Sequence, residues 1–487
     1  MPDKNEDSHD DSFIVSWDGE KDAQDPFNWP TVKKFAFTIT GCLIVFAVAF
    51  ASSNFGPATP VIANQYGVST EVANLSVALF VAGFAAGPLF FAPFSQIYGH
   101  AVTLLIGIIG CAIFQIPLGV AQNIETVLVS RALMGLTGSA VLAVGSGMLA
   151  EVWGTSTRAM AIGLSATSLN MGSIVGPIAG NFVLSRYGWR WIGWVTLLVC
   201  VAICLLSIFT VRESSRQKIL ERRAGALRRA MRDTRYHALS EKSGITFGAL
   251  VQRYFKVPLQ MISREPILII LTAYLTLVYG TLYLSYQMLP YAFQHRGWSG
   301  PMSSLPSIST LLGAFSAWLV SSAHNILYYQ PKKGGAFSLV PETRLPPMIL
   351  GGCILPVALI WFGWSMKTHW FAQVLSCYFL GLSLQLIFIT GVIYIIDVYL
   401  ANANSAISIH VSIRSLVSAS FSIWGPLLYT SLGIEWTSTL LAGLAAVLLP
   451  SPIIFYYWGA RIRSWSRFTT MTDPSILSAS VMERAHV

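Results

Sequence analysis

Apolar residues in this chain come in blocks of about twenty, separated by short polar intervals, and that pattern repeats from one end to the other. An α-helix rises about 1.5 Å per residue, so about 20 apolar residues cross roughly 30 Å of hydrocarbon. By that measure the sequence predicts membrane helices at 35–56, 72–93, 102–121, 127–150, 159–184 and 191–211. A polar stretch at 212–264 interrupts the series, and six more helices are expected at 265–289, 303–323, 346–366, 371–399, 406–430 and 437–458. The expected fold class is therefore an all-α membrane protein of twelve transmembrane helices in two six-helix halves. The division is a disordered cytosolic tail (1–34), a first half (35–211), a basic cytosolic linker (212–264), a second half (265–458) and a cytosolic C-terminal tail (459–487).

Composition agrees with the pattern. Of 487 residues 54% are hydrophobic and 11% charged, against roughly 25% charged in a soluble domain. So few charges cannot cover a water-exposed surface, and they gather in tails and loops. With the N-terminus placed in the cytosol, 25 of the 31 Lys and Arg fall on cytosolic segments. That bias orients membrane proteins, so the net charge of +9 is read as a topology signal and no nucleic-acid partner is expected. Residues 1–30 are polar and acidic with no apolar core, so no cleavable leader is expected and the first span serves as targeting signal. The six cysteines all lie in apolar stretches without metal-ligand spacing, and are expected to pack rather than to bind metal or pair. Within the linker, ILERRAGALRRAMRD at 219–233 reads as a basic amphipathic helix, either a solvated connector or an attachment to an anionic leaflet.

Several short motifs carry more specific information. The fifth span holds Gly172-Ser-Ile-Val-Gly176-Pro177-Ile-Ala-Gly180. Glycines four apart share a helix face and admit a close neighbour, while Pro177 removes a backbone hydrogen bond and kinks the helix. The fourth span opens Arg131-Ala-Leu-Met-Gly135. An intramembrane arginine is costly enough to suggest function, the alternative being a side chain snorkelling to the headgroups. Elsewhere lie Asp25-Pro-Phe-Asn-Trp-Pro30, Trp189-Arg190-Trp191, Pro341-Glu342-Thr-Arg344-Leu345, Tyr394-Ile-Ile-Asp397-Val-Tyr399 and Arg414-Ser415. In their order and spacing these segments resemble the major facilitator superfamily, and within it the twelve-helix fungal drug:proton antiporters. The resemblance implies that the glycine-proline segment is the antiporter motif of exporters, and that Arg131, with Glu151 and Asp397 at the inner ends of their spans, belongs to the proton-coupling machinery. Between spans two and three the family has an acid, then Tyr-Gly, then a basic pair forming the inner-gate lock. Here Gln96, Tyr98, Gly99 and His100 occupy that loop, so the turn is expected and the ionic lock is expected to be lost or rebuilt.

The resemblance also implies a substrate site between the halves, near the midplane. The expected cavity residues are Asn54, Tyr279, Tyr283, Gln287, Gln385 and Thr390, with Tyr279, Tyr283 and Tyr286 recurring along one face of span seven. The other reading of those tyrosines is an interfacial aromatic belt. Aromatic faces with neutral polar groups suit apolar or weakly cationic organic molecules, and suit carboxylates or phosphates poorly. The expected function is export of drugs, toxins or a secondary metabolite by alternating access with proton antiport. A facilitated carrier or importer of a neutral solute is the alternative, and an enzyme or channel the distant third, since no catalytic cluster or nucleotide loop is present. No cofactor is expected. The expected partners are a small organic substrate, protons and the bilayer, with a monomer in the plasma membrane (or the vacuolar membrane) and both termini cytosolic.

Overall fold

The computed structural model describes residues 13–242, 252–328, 340–466 and 468–469. Among them are twelve helices long and apolar enough to cross a membrane. In chain order they are α1 (Thr31–Tyr66), α2 (Thr70–Tyr98), α3 (His100–Gly119), α4 (Ile124–Val152), α5 (Thr157–Tyr187) and α6 (Arg190–Thr210). The second half comprises α7 (Pro266–His295), α8 (Met302–Leu327), α9 (Pro346–Lys367), α10 (Trp370–Tyr399), α11 (Ala403–Ser431) and α12 (Gly433–Arg463). An even number of crossings puts both chain ends at one end of the bundle, here the termini end, and leaves a far end opposite.

Local chemistry fixes where the helices begin and turn. Ser69 and Asn123 accept backbone N–H groups at the starts of α2 and α4, satisfying donors that the first turn leaves free. Helix α1 continues to Tyr66 through a tight turn at Gly56–Ala58, well beyond the boundary near 56 that hydropathy suggests, because Pro57 is tolerated at the start of a new turn. Helix α12 likewise runs past 458 to Arg463.

The halves are assembled by the same small-residue contacts. A methyl added to Gly135 of α4 would strike the Phe80 carbonyl of α2, and one added to Gly381 of α10 the Thr310 carbonyl of α8. Backbone-to-backbone packing of this kind is how helices associate in lipid, where no hydrophobic force draws them together. Between halves, the Ser412 hydroxyl on α11 donates to the Ala85 carbonyl of α2 (2.7 Å), and the Trp318 indole on α8 donates to the Met160 carbonyl of α5 (3.2 Å).

The N-terminal segment departs from expectation. Residues 1–12 lie outside the described residues, but 13–30 are ordered. Strand β1 (Ile14–Val15) pairs in parallel with β2 (His237–Ala238) of the linker, and Val15 packs with Ala224, Leu220 and Leu227 of the linker helix Arg216–Met231. Arg223 bonds Asp22 at 2.8 Å and pairs with Asp18, and Arg216 reaches Asp25 at 2.7 Å. The acidic residues that suggest a disordered tail are the counter-charges of the basic linker helix. Its apolar face is accordingly covered by the chain's own N-terminal segment. The Asp22 carboxyl is held below its ordinary value by the N–H groups of Gln24 and Asp18 and by Arg223. Lys332 and Lys333 of the loop after α8, and residues 470–487 of the C-terminal tail, fall outside the described residues.

Candidate functional site

The glycines of the α5 motif lie against α1. A methyl on Gly172 would meet the Phe46 carbonyl, one on Gly176 the Ser53 hydroxyl, and one on Gly180 the Asn54 carbonyl. Gly176 thereby carries Pro177 to the wall of a cavity of about 340 Å³ between the halves. Ser53, Asn74, Pro177 and Asn181 line it from the first half, and Tyr283, Tyr286, Gln287, Pro426 and Tyr429 from the second. Its rim includes Pro60, Thr70, Gln294 and Thr430, all at helix ends remote from the termini, so the cavity faces the far end. Pro426 follows Gly425 on α11, whose own close neighbour is Leu284 of α7. The Gly-Pro pair of the fifth helix thus recurs in the fifth helix of the second half, a repeat readable from the sequence spacing.

Of the expected cavity residues, Tyr283 and Gln287 line this space and Tyr279 lies behind it. Tyr279 and Tyr283 are 1% and 2% exposed, which removes the interfacial-belt reading for them. The Tyr283 hydroxyl lies 3.0 Å from that of Ser52 across the halves. Asn54, Gln385 and Thr390 do not line this cavity. Asn54 donates to Thr196 of α6 at 2.6 Å. Gln385 of α10 bonds Asn170 and donates to Thr167, both of α5, at 3.0 Å in the latter case. Thr390 is buried, its hydroxyl without a partner. A polar group inside a span must be satisfied, and for Asn54 and Gln385 a facing helix, rather than a cavity, does so.

Arg131 is 1% exposed and does not snorkel. Its guanidinium donates to the carbonyls of Ser76 (2.9 Å), Ala51 (2.6 Å) and Ser52 (2.7 Å), and the faces of Phe55 and Phe80 flank it at 5.0 and 4.5 Å. These bonds tie α4 to α2 and α1 beside the cavity floor.

The termini end carries a network of charges. Gly99 turns the chain between α2 and α3 at φ +98°, a backbone region closed to other residues, and its missing side chain leaves room for the Glu213 carboxylate. Glu213 accepts the His100 N–H at 2.9 Å and stands 3.9 Å from Arg222. The His100 ring lies 3.2 Å from the Ser214 hydroxyl and 3.6 Å from Glu151. The acid and basic pair missing from the loop are thus replaced by acids at the ends of α4 and α6 and by the linker helix. Gln96 borders a small cavity of about 30 Å³ beside His100, and Tyr98 is half exposed, its ring against Phe94. In the second half Arg344 pairs with Asp397 and reaches Asn325 at 2.8 Å, while Arg463 holds Glu342 through two bonds of 2.9 Å. Asp397 also faces Arg158 of α5 at 3.8 Å, an ion pair that bridges the halves.

The sequence pattern gives Arg414 no assignment to a cavity. It lines a third space, of about 80 Å³, together with His410, Phe388, Leu169 and Ile162. Tyr279 and Phe388 present their faces to its guanidinium at 4.2 and 4.9 Å. No group of three or more His, Cys, Asp or Glu that could hold a metal occurs among the described residues.

The Major Facilitator Superfamily model matches residues 41–422. The chain is 39% identical to a citrinin biosynthesis cluster MFS transporter of Monascus ruber over 464 residues, covering 94% of this chain and 93% of that protein. It is 38% identical to an ascochitine biosynthesis cluster MFS transporter of Didymella fabae (94% and 90% covered). It is also 36% identical to a cercosporin MFS transporter of Cercospora nicotianae (94% and 90% covered). Among solved structures it is similar to the proton:xylose symporter XylE, with a TM-score of 0.65 at 13% identity over 88% of this chain and 96% of that one, a likeness of fold alone.

Proposed function

The chain belongs to the major facilitator superfamily, and on that premise we propose that it exports a small organic compound, a secondary metabolite of the producing cell, by alternating access. One observation carries the reading. A cavity of about 340 Å³ between the halves faces the far end, while the termini end is bridged by Arg158–Asp397 and the halves meet nearer the centre through Ser412 on Ala85. That arrangement is one of the two states an alternating-access carrier needs. The relatives named for citrinin, ascochitine and cercosporin support an organic cargo, and the packed antiporter motif on α5 supports export over import. In this reading the termini lie in the cytosol, the membrane is the plasma membrane, and the far-end cavity is the releasing state. Proton antiport would use Arg131 beside the cavity floor, with Glu151, paired to His100, and Asp397 at the termini end.

The test uses the full chain reconstituted in vesicles, with a panel of labelled aromatic metabolites and an imposed proton gradient that can be collapsed. Uphill movement that stops on collapse is the expected result. Movement indifferent to the gradient would make the protein a facilitator, and movement of no compound in the panel would refute the export reading.

A further inference from the structure

Arg131 and Arg414, both buried well inside their spans, are satisfied differently. Arg131 spends its donors on three backbone carbonyls. Arg414 is 2% exposed, its Nε has no hydrogen-bond partner, and it forms no ion pair among the described residues. It stands eleven residues into a 29-residue helix, near the middle of the membrane by its rise per residue. A guanidinium there without a counter-charge is expensive, and the two ring faces of Tyr279 and Phe388 offset only part of that cost.

The space it borders explains the arrangement. The cavity of about 80 Å³ is walled by Val45, Ile162 and Leu169 of the first half and by Phe388, His410 and Arg414 of the second. His410 lies one turn before Arg414 on the same face, and its Nε2 also lacks a partner. An apolar chamber between the halves lined by one fixed cation that has no carboxylate partner among the described residues matches an amphipathic anion. We propose that Arg414 is the carboxylate-binding residue of a central substrate subsite, so that the transported compounds include aromatic or aliphatic organic acids. Guanidinium binds carboxylate through two parallel N–H bonds, while the apolar walls take the body of the molecule. This inference rests on the transporter reading and narrows its cargo. It departs from the expectation drawn from the tyrosines of α7, of which Tyr283 and Tyr286 line the larger cavity while Tyr279 stacks on Arg414.

The test is direct binding to the purified full chain, with labelled 1-naphthoate against its neutral isostere 1-naphthamide. The expected result is saturable binding of naphthoate at least tenfold tighter than the amide. Arg414→Gln removes that preference, and Arg414→Lys keeps part of it by retaining the charge. Equal binding of acid and amide, binding of neither, or an unchanged preference in folded Arg414→Gln overturns the proposal. Displacement of naphthoate by chloride in the hundred-millimolar range overturns it too, since the site would then take any small anion. The vesicle panel separates the two ideas. Gradient-driven movement of neutral compounds with no acid preference sinks the anion site and leaves export standing, whereas Arg414-dependent naphthoate binding without movement of any compound sinks export and leaves the site.

Discussion

Replacing Gly99 with alanine puts the charge network of the termini end to a quantitative test. Gly99 sits at φ +98° and ψ 166°, where an ordinary side chain costs about 1–3 kcal/mol in backbone strain. The new methyl would also occupy the place of the Glu213 carboxylate. That carboxylate accepts the N–H groups of His100 and Ser215 at 2.9 and 3.0 Å, and hydrogen bonds to a charged group contribute about 1.5–3 kcal/mol. Losing one of them on top of the strain gives a destabilisation of about 2.5–6 kcal/mol. The assay is the thermal midpoint of the detergent-purified protein, with Gly443→Ala as control. Gly443 has open space and no positive φ, so alanine there should hold or raise the midpoint by removing the flexibility glycine adds to a helix. Glu213→Gln alone should cost less than Gly99→Ala, and the double variant less than the sum, because both act on one contact. A Gly99→Ala midpoint equal to that of the control, or strict additivity, would refute the reasoning.

Three further expectations follow from the same contacts. Pro177→Ala should lower export severalfold with normal protein levels in the membrane, read by vesicle transport and immunoblot, and unchanged export counts against a hinge at this position. Arg131→Ala breaks three bonds of 2.6–2.9 Å and should reduce gradient-driven export at least tenfold, while full activity would leave Arg131 no more than a brace between α4, α2 and α1. The docked N-terminal segment should loosen in acid. Asp22 has a folded value below its ordinary 3.8, so its contribution is complete above that ordinary value and is lost as pH falls through the lower folded one. Hydrogen exchange at residues 13–25 should therefore quicken in that acidic window and already at neutral pH in Asp22→Asn, and equal protection in both proteins would contradict the contact.

The twelve helices were legible because membrane spans announce themselves by length and hydropathy, two properties of sequence alone. Boundaries failed where the chain turns without becoming polar. Gly56-Pro57-Ala58 reads as a stop, yet Thr59–Tyr66 extends α1. The ordered N-terminal segment was hidden for a different reason. Asp18, Asp22 and Asp25 look like solvated charges until Arg216 and Arg223, some 200 residues away, are brought beside them. The same limit governs the site. That Asn54 and Gln385 are polar residues in apolar spans is visible in the sequence, but whether each faces a cavity or another helix depends on rotation about the helix axis. Both found partners, Thr196 for the first and Asn170 with Thr167 for the second. Tyr283 and Gln287 share a face of α7 by helical period, and that face borders the larger cavity.

In the proposed alternating-access cycle, the positions of the charges link loading to movement. At the termini end the charges are matched: Arg158 and Arg344 on Asp397, Arg463 on Glu342, His100 beside Glu151 and Glu213. Only Arg158–Asp397 joins the two halves among these pairs, so opening that end breaks one partly buried ion pair and leaves Asp397 still held by Arg344. That is a modest cost for a conformational step. At the centre the balance is reversed. Arg414 borders a space that both halves enclose, without a carboxylate partner among the described residues. Excluding water from it while it is unpaired raises the energy of the enclosed state, and an organic anion lowers it again. A carrier built this way passes through the enclosed state more readily with its cargo than empty, which is the condition for moving a substrate rather than merely flexing. In the proposed export cycle the matched charges at one end therefore hold a state, while Arg414 at the centre makes leaving it depend on the anion proposed to bind there.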